Sequence, residues 1–183
     1  RLEYGGVIGY LIIILGIGGF IVGLIRLVYL FFVGGRVRSQ QKTEEAKENN
    51  PLGRVLTVAT QNPDLDTESL ELKLDEAILR EQAGLERFLW LIKVVSVVAP
   101  LMGLLGTVTG MIRTFQAITL FGTGDPKLMA GGISEALVTT MLGLIVAIPL
   151  VLMHSWVSSM SRDLMDILGE QSAGIIARRV ESK

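Results

Sequence analysis

Glu135 is a carboxylate inside a stretch otherwise apolar enough to cross a bilayer, "GGISEALVTTMLGLIVAIPLVLMHSWV" at 131–157. A charged side chain at such depth costs a few kcal/mol on insertion scales and is retained where it faces a bundle interior or an aqueous cavity. The chemistry open to it is ion handling; the plainer alternative is a headgroup-level carboxylate at a frayed helix start. Hydroxyls follow it. On an ideal helix of about 100° per residue Thr139 lies on the face of Glu135, whereas Thr140 is displaced by about 140°. With the helix running over 129–156, Glu135 sits about 10 Å to the outer side of its midpoint. Thr107, in a second apolar stretch running the opposite way, sits about 8 Å to the outer side of its own midpoint. Acid and hydroxyl therefore occupy one layer, although an isolated intramembrane Thr commonly just bonds back to its own helix.

The elements that hold this layer are rich in small residues. Gly103, Gly106 and Gly110 present a face that permits close helix contact. Pro100 and Pro149 lie inside spans, where bilayer helices tolerate them and where they can loosen or bend the local ladder. His154, the only histidine, falls at the inner interface, where headgroup contact is a simpler role than proton relay.

Half of the 183 residues are hydrophobic, the mean hydropathy is +0.52 and there are 21 glycines, a balance foreign to soluble domains. Uncharged stretches at 4–25, 94–112 and 136–161 each approach or exceed the roughly 20 residues needed to cross the hydrocarbon. The fold class expected is an all-α membrane protein with three transmembrane helices, long cytoplasmic helical extensions and an oligomeric ring. The layout expected is a peripheral first span at 1–33, a cytoplasmic helical segment at 34–89, a second span at 90–113, a short periplasmic loop at 114–130, a third span at 131–157 and a cytoplasmic helical tail at 158–183. There is no cysteine for disulfides or thiolate metal sites, and a net charge of −1 gives no footprint for nucleic acid. No Ser/His/Asp set, phosphate loop or metal cluster is evident, so an enzyme, a metal and a cofactor are not expected.

Lys and Arg bias sets orientation. Nine cationic residues lie between the first two spans and four in the tail, against Arg1 and Lys127 on the other side. The N-terminus is expected outside and the C-terminus in the cytoplasm. A chain beginning with Arg1 is expected to lack an N-terminal portion, and the first span does not read as a signal peptide. That span carries Gly16, Gly18, Gly19 and Gly23 and ends in an aromatic belt of Tyr29, Phe31 and Phe32, with Arg26 placed to snorkel as an anchor.

Between the spans, "GGRVRSQQKTEEAKENNPLGRVL" reads as a polar turn and a short helix, punctuated by Pro51 and Pro63. From residue 64 onward, acidic first turns and an apolar stripe of Leu74, Ile78, Leu85 and Leu89 predict a helix, and no breaker separates it from the second span. One helix over 64–113 would be roughly 75 Å long, far more than the bilayer is thick. Projecting alone, it would leave its stripe wet, which argues for self-association.

The stretches "APLMGLLGTVTGMIRTF" and "GGISEALVTTMLGLIVAIPLV" closely resemble the two signature segments of the MotA/TolQ/ExbB proton-channel family, and "NPLGRVL" also matches it. The likeness covers essentially the whole chain. It implies a proton-motive-force-driven motor of the bacterial inner membrane. In that family a homo-oligomeric ring of five subunits encloses the helices of a small single-span, ExbD-like partner bearing a proton-carrying aspartate. It also implies that Glu135 matches the family's intramembrane Glu, Thr107 its span-two Thr and Thr140 its span-three Thr, against the helix geometry that favours Thr139. A proton, rather than sodium, follows from the resemblance alone. Three spans and a compact cytoplasmic segment are similar to the ExbB branch, which works with ExbD and TonB to energise outer-membrane transport, and next to the TolQ branch of the Tol-Pal envelope system. A non-conducting structural scaffold is the alternative from another class.

Overall fold

The computed structural model describes residues 6–43, 46–122 and 126–181. The start of the first expected span, Arg1, Lys183 and part of the expected loop at 114–130 lie outside the described residues. Among the described residues there is no strand. The helices are α1 (Gly6–Gln40), α2 (Pro51–Gln61), α3 (Thr67–Leu85), α4 (Leu89–Phe121) and α5 (Pro126–Glu181). Three of them, α1, α4 and α5, are long and apolar enough to cross a membrane. Their outward faces agree: Leu101, Leu104, Leu105, Val108, Ile112 and Phe115 of α4 are all exposed. An apolar surface of that extent is a liability in water and is the normal state of a helix against lipid.

The chain divides into two compact units. The first comprises Arg1–Leu24 and Phe88–Ser155, and so contains the first half of α1, all of α4 and the leading part of α5. Glycines bring α1 onto α5. A β-carbon at Gly16 would stand 2.7 Å from Val146, one at Gly19 would stand 3.1 Å from Val95 of α4 and 3.2 Å from Leu150, and one at Gly23 would meet the Met153 sulfur. Ile92, Val95 and Leu150 form the buried centre of this unit, with Val22 and Val146 packed against it.

The second unit comprises Ile25–Arg87 and Trp156–Lys183. Here α2 begins as its sequence foretells, with Pro51 in the first turn and the Asn50 side chain accepting from the Gly53 N–H at 2.8 Å. Asp66 caps α3 in the same way, through the Ser69 N–H at 3.1 Å. α2 packs on α3, and Arg54 of α2 grips both carboxylate oxygens of Glu81 at 2.7 and 2.6 Å. That hydrogen-bonded carboxylate raises the Arg54 pKa above its ordinary value.

Several expectations are corrected. The single helix over 64–113 is two helices, because Phe88 takes a left-handed conformation (φ 64°, ψ 1°) between α3 and α4. The stop is supplied by a tertiary contact. Arg26 donates to the Gly84 carbonyl at 3.1 Å and to the Leu85 carbonyl, satisfying acceptors that a helix C-terminus leaves open. Arg26 is accordingly no snorkelling anchor. It is 7% exposed, with its guanidinium 5.0 Å from the Tyr29 ring centroid. The stripe of α3 is not wet either: Leu70, Leu74 and Leu85 are buried within this one chain, so it offers no argument for self-association.

The remaining corrections concern helix length. α4 continues past 113 to Phe121, where Gly122 (φ 71°) ends it, and α5 already starts at Pro126, so most of the expected loop at 114–130 is helical. Nothing in "TFQAITLF" interrupts the ladder, which is why the helix outlasts the loss of strong hydrophobicity. Gly34 and Gly35 likewise fail to end α1, which runs to Gln40. α5 carries the third span into the tail without a break, as its sequence suggested, and closes with Arg178 and Arg179 in its last turn.

Candidate functional site

The site lies where α4 crosses α5, and glycine determines how closely. A β-carbon on Gly103 would stand 3.0 Å from the Thr139 carbonyl oxygen and 3.1 Å from the Thr140 Cα. One on Gly106 would run into the Thr139 side chain, and one on Gly110 would stand 2.8 Å from the Gly132 carbonyl oxygen. The approach is reciprocal, since a β-carbon on Gly143 of α5 would stand 2.7 Å from the Ala99 carbonyl oxygen and 3.2 Å from the Cα of Pro100. Side chains are thus removed from both helices along the seam, and backbone meets backbone. Pro100 belongs to this seam, whereas Pro149 lines an apolar groove against α1 with Gly16, Ile17 and Val146. Both prolines lie inside helices that continue through them.

Close approach lets hydroxyls on one helix reach the other. Thr107 lies against the Thr140 hydroxyl and also reaches the Gly103 carbonyl at 3.2 Å and the Ala136 carbonyl at 3.4 Å. Thr140 reaches the same two carbonyls at 3.2 and 3.4 Å. A hydroxyl has one proton to give, so these two hydroxyls and the two carbonyls, which the Thr139 hydroxyl also reaches, form a small network in which the protons can be redistributed by rotating bonds. Thr139 is 1% exposed and fills the notch at Gly106; its hydroxyl takes the same two acceptors, the Ala136 carbonyl at 2.9 Å and the Gly103 carbonyl at 3.5 Å, without bonding to Thr107. Of the two hydroxyls that follow Glu135, Thr140 is the one brought to Thr107.

Glu135 lies next to Ala136, whose carbonyl both threonines reach, and it has a charged partner. Arg113 Nη1 donates to the two carboxylate oxygens at 2.8 and 3.0 Å. The carboxylate is also set against the first residue of α1, where a β-carbon on Gly6 (φ 54°) would overlap it. Arg113 is the last residue of the second span expected at 90–113 and carried no expectation of its own. The depth arithmetic could have found it, because it lies at the same end of the α4–α5 seam as Glu135. Gly6, Gly132 and Gly143 offered no comparable signal. His154 is half-buried on α5, several turns from this cluster. Among the described residues no group of three or more His, Cys, Asp or Glu is placed to hold a metal.

An all-helical chain with three membrane-length apolar helices, and with a carboxylate and hydroxyls on a glycine-tight seam, is a multi-pass membrane protein. Residues 47–170 match the MotA/TolQ/ExbB proton channel family, and the chain belongs to that family. It is 33% identical over 178 residues to a putative biopolymer transport protein ExbB homolog of Methanothermobacter thermautotrophicus, covering 88% of this chain and 63% of the relative. It is 31% identical over 124 residues to the Tol-Pal system protein TolQ of Pseudomonas aeruginosa, covering 68% and 60%. With the biopolymer transport protein ExbB of Xanthomonas campestris it shares 33% identity over 99 residues, 54% of this chain and 39% of the other. The chain thus spans less than two thirds of the length of these relatives.

Proposed function

We propose that this chain is an ExbB-like subunit of a proton-motive-force-driven motor in the inner membrane. Its N-terminus is periplasmic and its C-terminus cytoplasmic. Several copies form a ring, five by family resemblance, whose second and third spans surround a small ExbD-like single-span partner; a TonB-like protein carries the work to the outer membrane. Glu135 handles the proton, with Thr107 and Thr140 as the neighbouring relay and Thr139 as a packing residue. The observation that carries this reading is the coincidence at one level of an intramembrane acid and the Thr107–Thr140 hydroxyl pair on shared carbonyls, in a chain of this family. A non-conducting scaffold has no use for such a layer.

The test is co-expression of this chain with a candidate one-span partner, purification, and proton uptake by vesicles holding the complex. A stable complex whose uptake is lost with Glu135→Gln supports the reading. A Glu135→Gln complex that conducts as well as the unaltered one overturns it. The similarity to TolQ favours a second assignment within the family. Complementation separates the two: rescue of iron-carrier uptake in cells lacking ExbB supports the first, and rescue only of envelope integrity in cells lacking TolQ supports the second.

A further inference from the structure

In the second unit a groove of about 200 Å³ opens between the last turns of α1 and the tail portion of α5. Its wall is apolar, from Leu30, Phe31, Leu164 and Ile167, and its rim carries one cation, Arg38, and one anion, Asp163. The groove exists because two residues have no side chain. Gly34 and Gly35 line it, and a β-carbon on Gly35 would meet nothing within 4 Å.

Three features of this groove specify a ligand. First, its position is where the uncharged stretches of both helices give way to charge: Arg36 and Arg38 follow Gly35 on α1, and Arg162 and Asp163 follow Ser161 on α5. That is the sequence signature of a membrane–water boundary. Second, Arg38 and Asp163 are both exposed, line the same groove and form no ion pair or side-chain hydrogen bond with each other or with another described residue. Opposite charges held apart on one rim fit a ligand that carries both signs a few ångströms from each other. Third, the wall below them is apolar, so the ligand has a hydrocarbon portion. A free phosphate lacks the third property, and a purely anionic lipid leaves Asp163 facing like charge.

We infer that the groove binds a zwitterionic phospholipid with a primary ammonium headgroup, of the phosphatidylethanolamine class. Arg38 donates to the phosphate oxygens, Asp163 accepts from the ammonium, and an acyl chain lies along the notch left by Gly34 and Gly35. A guanidinium offers phosphate several donors in one plane. A carboxylate distinguishes a primary ammonium, which donates hydrogen bonds, from a quaternary one, which cannot.

The experiment uses the full chain in nanodiscs of phosphatidylcholine doped with phosphatidylethanolamine or phosphatidylglycerol, with bound lipid read by native mass spectrometry after release into mild detergent. Wild-type protein is expected to retain phosphatidylethanolamine over phosphatidylcholine and phosphatidylglycerol. Arg38→Ala is expected to weaken retention roughly tenfold, the effect of one lost charge-assisted hydrogen bond. Asp163→Asn is expected to abolish the preference for the primary amine. Gly35→Leu is expected to fill the notch and exclude the lipid; its β-carbon meets no protein atom within 4 Å, and circular dichroism and elution check that the helix and the assembly are unchanged. Glycerophosphoethanolamine, the headgroup without acyl chains, should not displace the lipid; displacement would make this a soluble phosphate-ester site and overturn the proposal. Equal retention of all three lipids, or retention unchanged in Arg38→Ala and Gly35→Leu, overturns it as well. So does a Gly35→Leu variant that keeps its lipid and loses its oligomeric state, which would give the groove to a second copy of the chain.

Discussion

Arg113 holds Glu135 through a single guanidinium nitrogen, Nη1, which reaches both carboxylate oxygens at 2.8 and 3.0 Å. The pair is asymmetric, with the Glu135 side chain 24% exposed and that of Arg113 64% exposed. The carboxylate belongs to the packed end of the seam and the more exposed arginine reaches it through Nη1, with Nε and Nη2 bonded to no other described residue. Such a contact sets a cation against the acid and can be given up without unpacking a helix.

Removing Arg113 leaves an acid in a span without its cation, and Glu135→Gln removes the carboxylate while preserving shape. Arg113→Gln should therefore lower thermal stability in detergent by up to about 1 kcal/mol, the range for an ion pair whose arginine is largely exposed. Arg113→Lys should restore most of that. Glu135→Gln should leave stability and insertion near wild type and abolish proton flux. Circular dichroism melts and vesicle proton uptake read the two effects separately. Loss of stability in Glu135→Gln comparable to that in Arg113→Gln would mean that the pair is structural and not part of a proton path.

Much of this site was legible in the sequence. Glu135 and Thr107 could be set at one depth from helix rise alone, and Gly103, Gly106 and Gly110 could be read as a contact face because small residues at helical spacing have few other uses in a bilayer. Choosing between Thr139 and Thr140 was beyond an ideal helix. The face shared with Glu135 is decided by angle, but which hydroxyl meets α4 is decided by where the seam runs, and the seam puts Thr139 into Gly106 and Thr140 onto Thr107. The break at Phe88 was illegible for a similar reason. "GLERFLW" has no breaker at the break itself, and the stop comes from Arg26, 58 residues from Gly84 along the chain.

Thr107 and Thr140 reach the same two carbonyl acceptors, which Thr139 also takes, and either of the two hydroxyls can be the donor in their mutual contact. Thr107→Ser keeps that option and Thr107→Val removes it at nearly constant volume. Flux should survive in Ser and fall at least roughly tenfold in Val, as one lost polar contact implies, with Thr140→Val behaving alike. The double Val variant should be little worse than either single one, because the network fails once either member is gone. Equal flux in Ser and Val would reduce Thr107 to a packing residue.

At Gly106 a β-carbon overlaps the Thr139 side chain, whereas at Gly18 of α1 it meets nothing within 4 Å. Overpacking a seam of this kind costs about 1–3 kcal/mol. Gly106→Ala should destabilise by that amount and weaken flux by separating Thr107 from Thr140, while Gly18→Ala should be neutral or slightly stabilising through helix propensity. Gly106→Ala combined with Thr139→Gly should recover part of the loss, since the atoms nearest the new β-carbon, Cβ included, all belong to that side chain. Thermal midpoints of the variants against wild type decide it; no recovery in the double variant would show that backbone separation, not the Thr139 side chain, sets the limit.

Phe88 separates α3 from α4 by adopting φ 64°, a region that costs an L-residue roughly 1–2 kcal/mol and that β-branched side chains avoid most strongly. Its side chain is 44% exposed, so less than a full aromatic burial is at stake there. Residues that tolerate the left-handed region should therefore be accepted at 88 and those that do not should be rejected, regardless of hydrophobicity. Phe88→Gly and Phe88→Asn are expected to melt close to wild type, and Phe88→Ile is expected to fall about 1–2 kcal/mol below Phe88→Gly despite its greater apolar bulk. The order reverses if 64–113 is one continuous helix, because Gly is the worst of these residues inside a helix and Ile is much better. A melt series over these variants therefore distinguishes a built break from an uninterrupted rod, and an Ile variant more stable than the Gly variant would refute the left-handed stop.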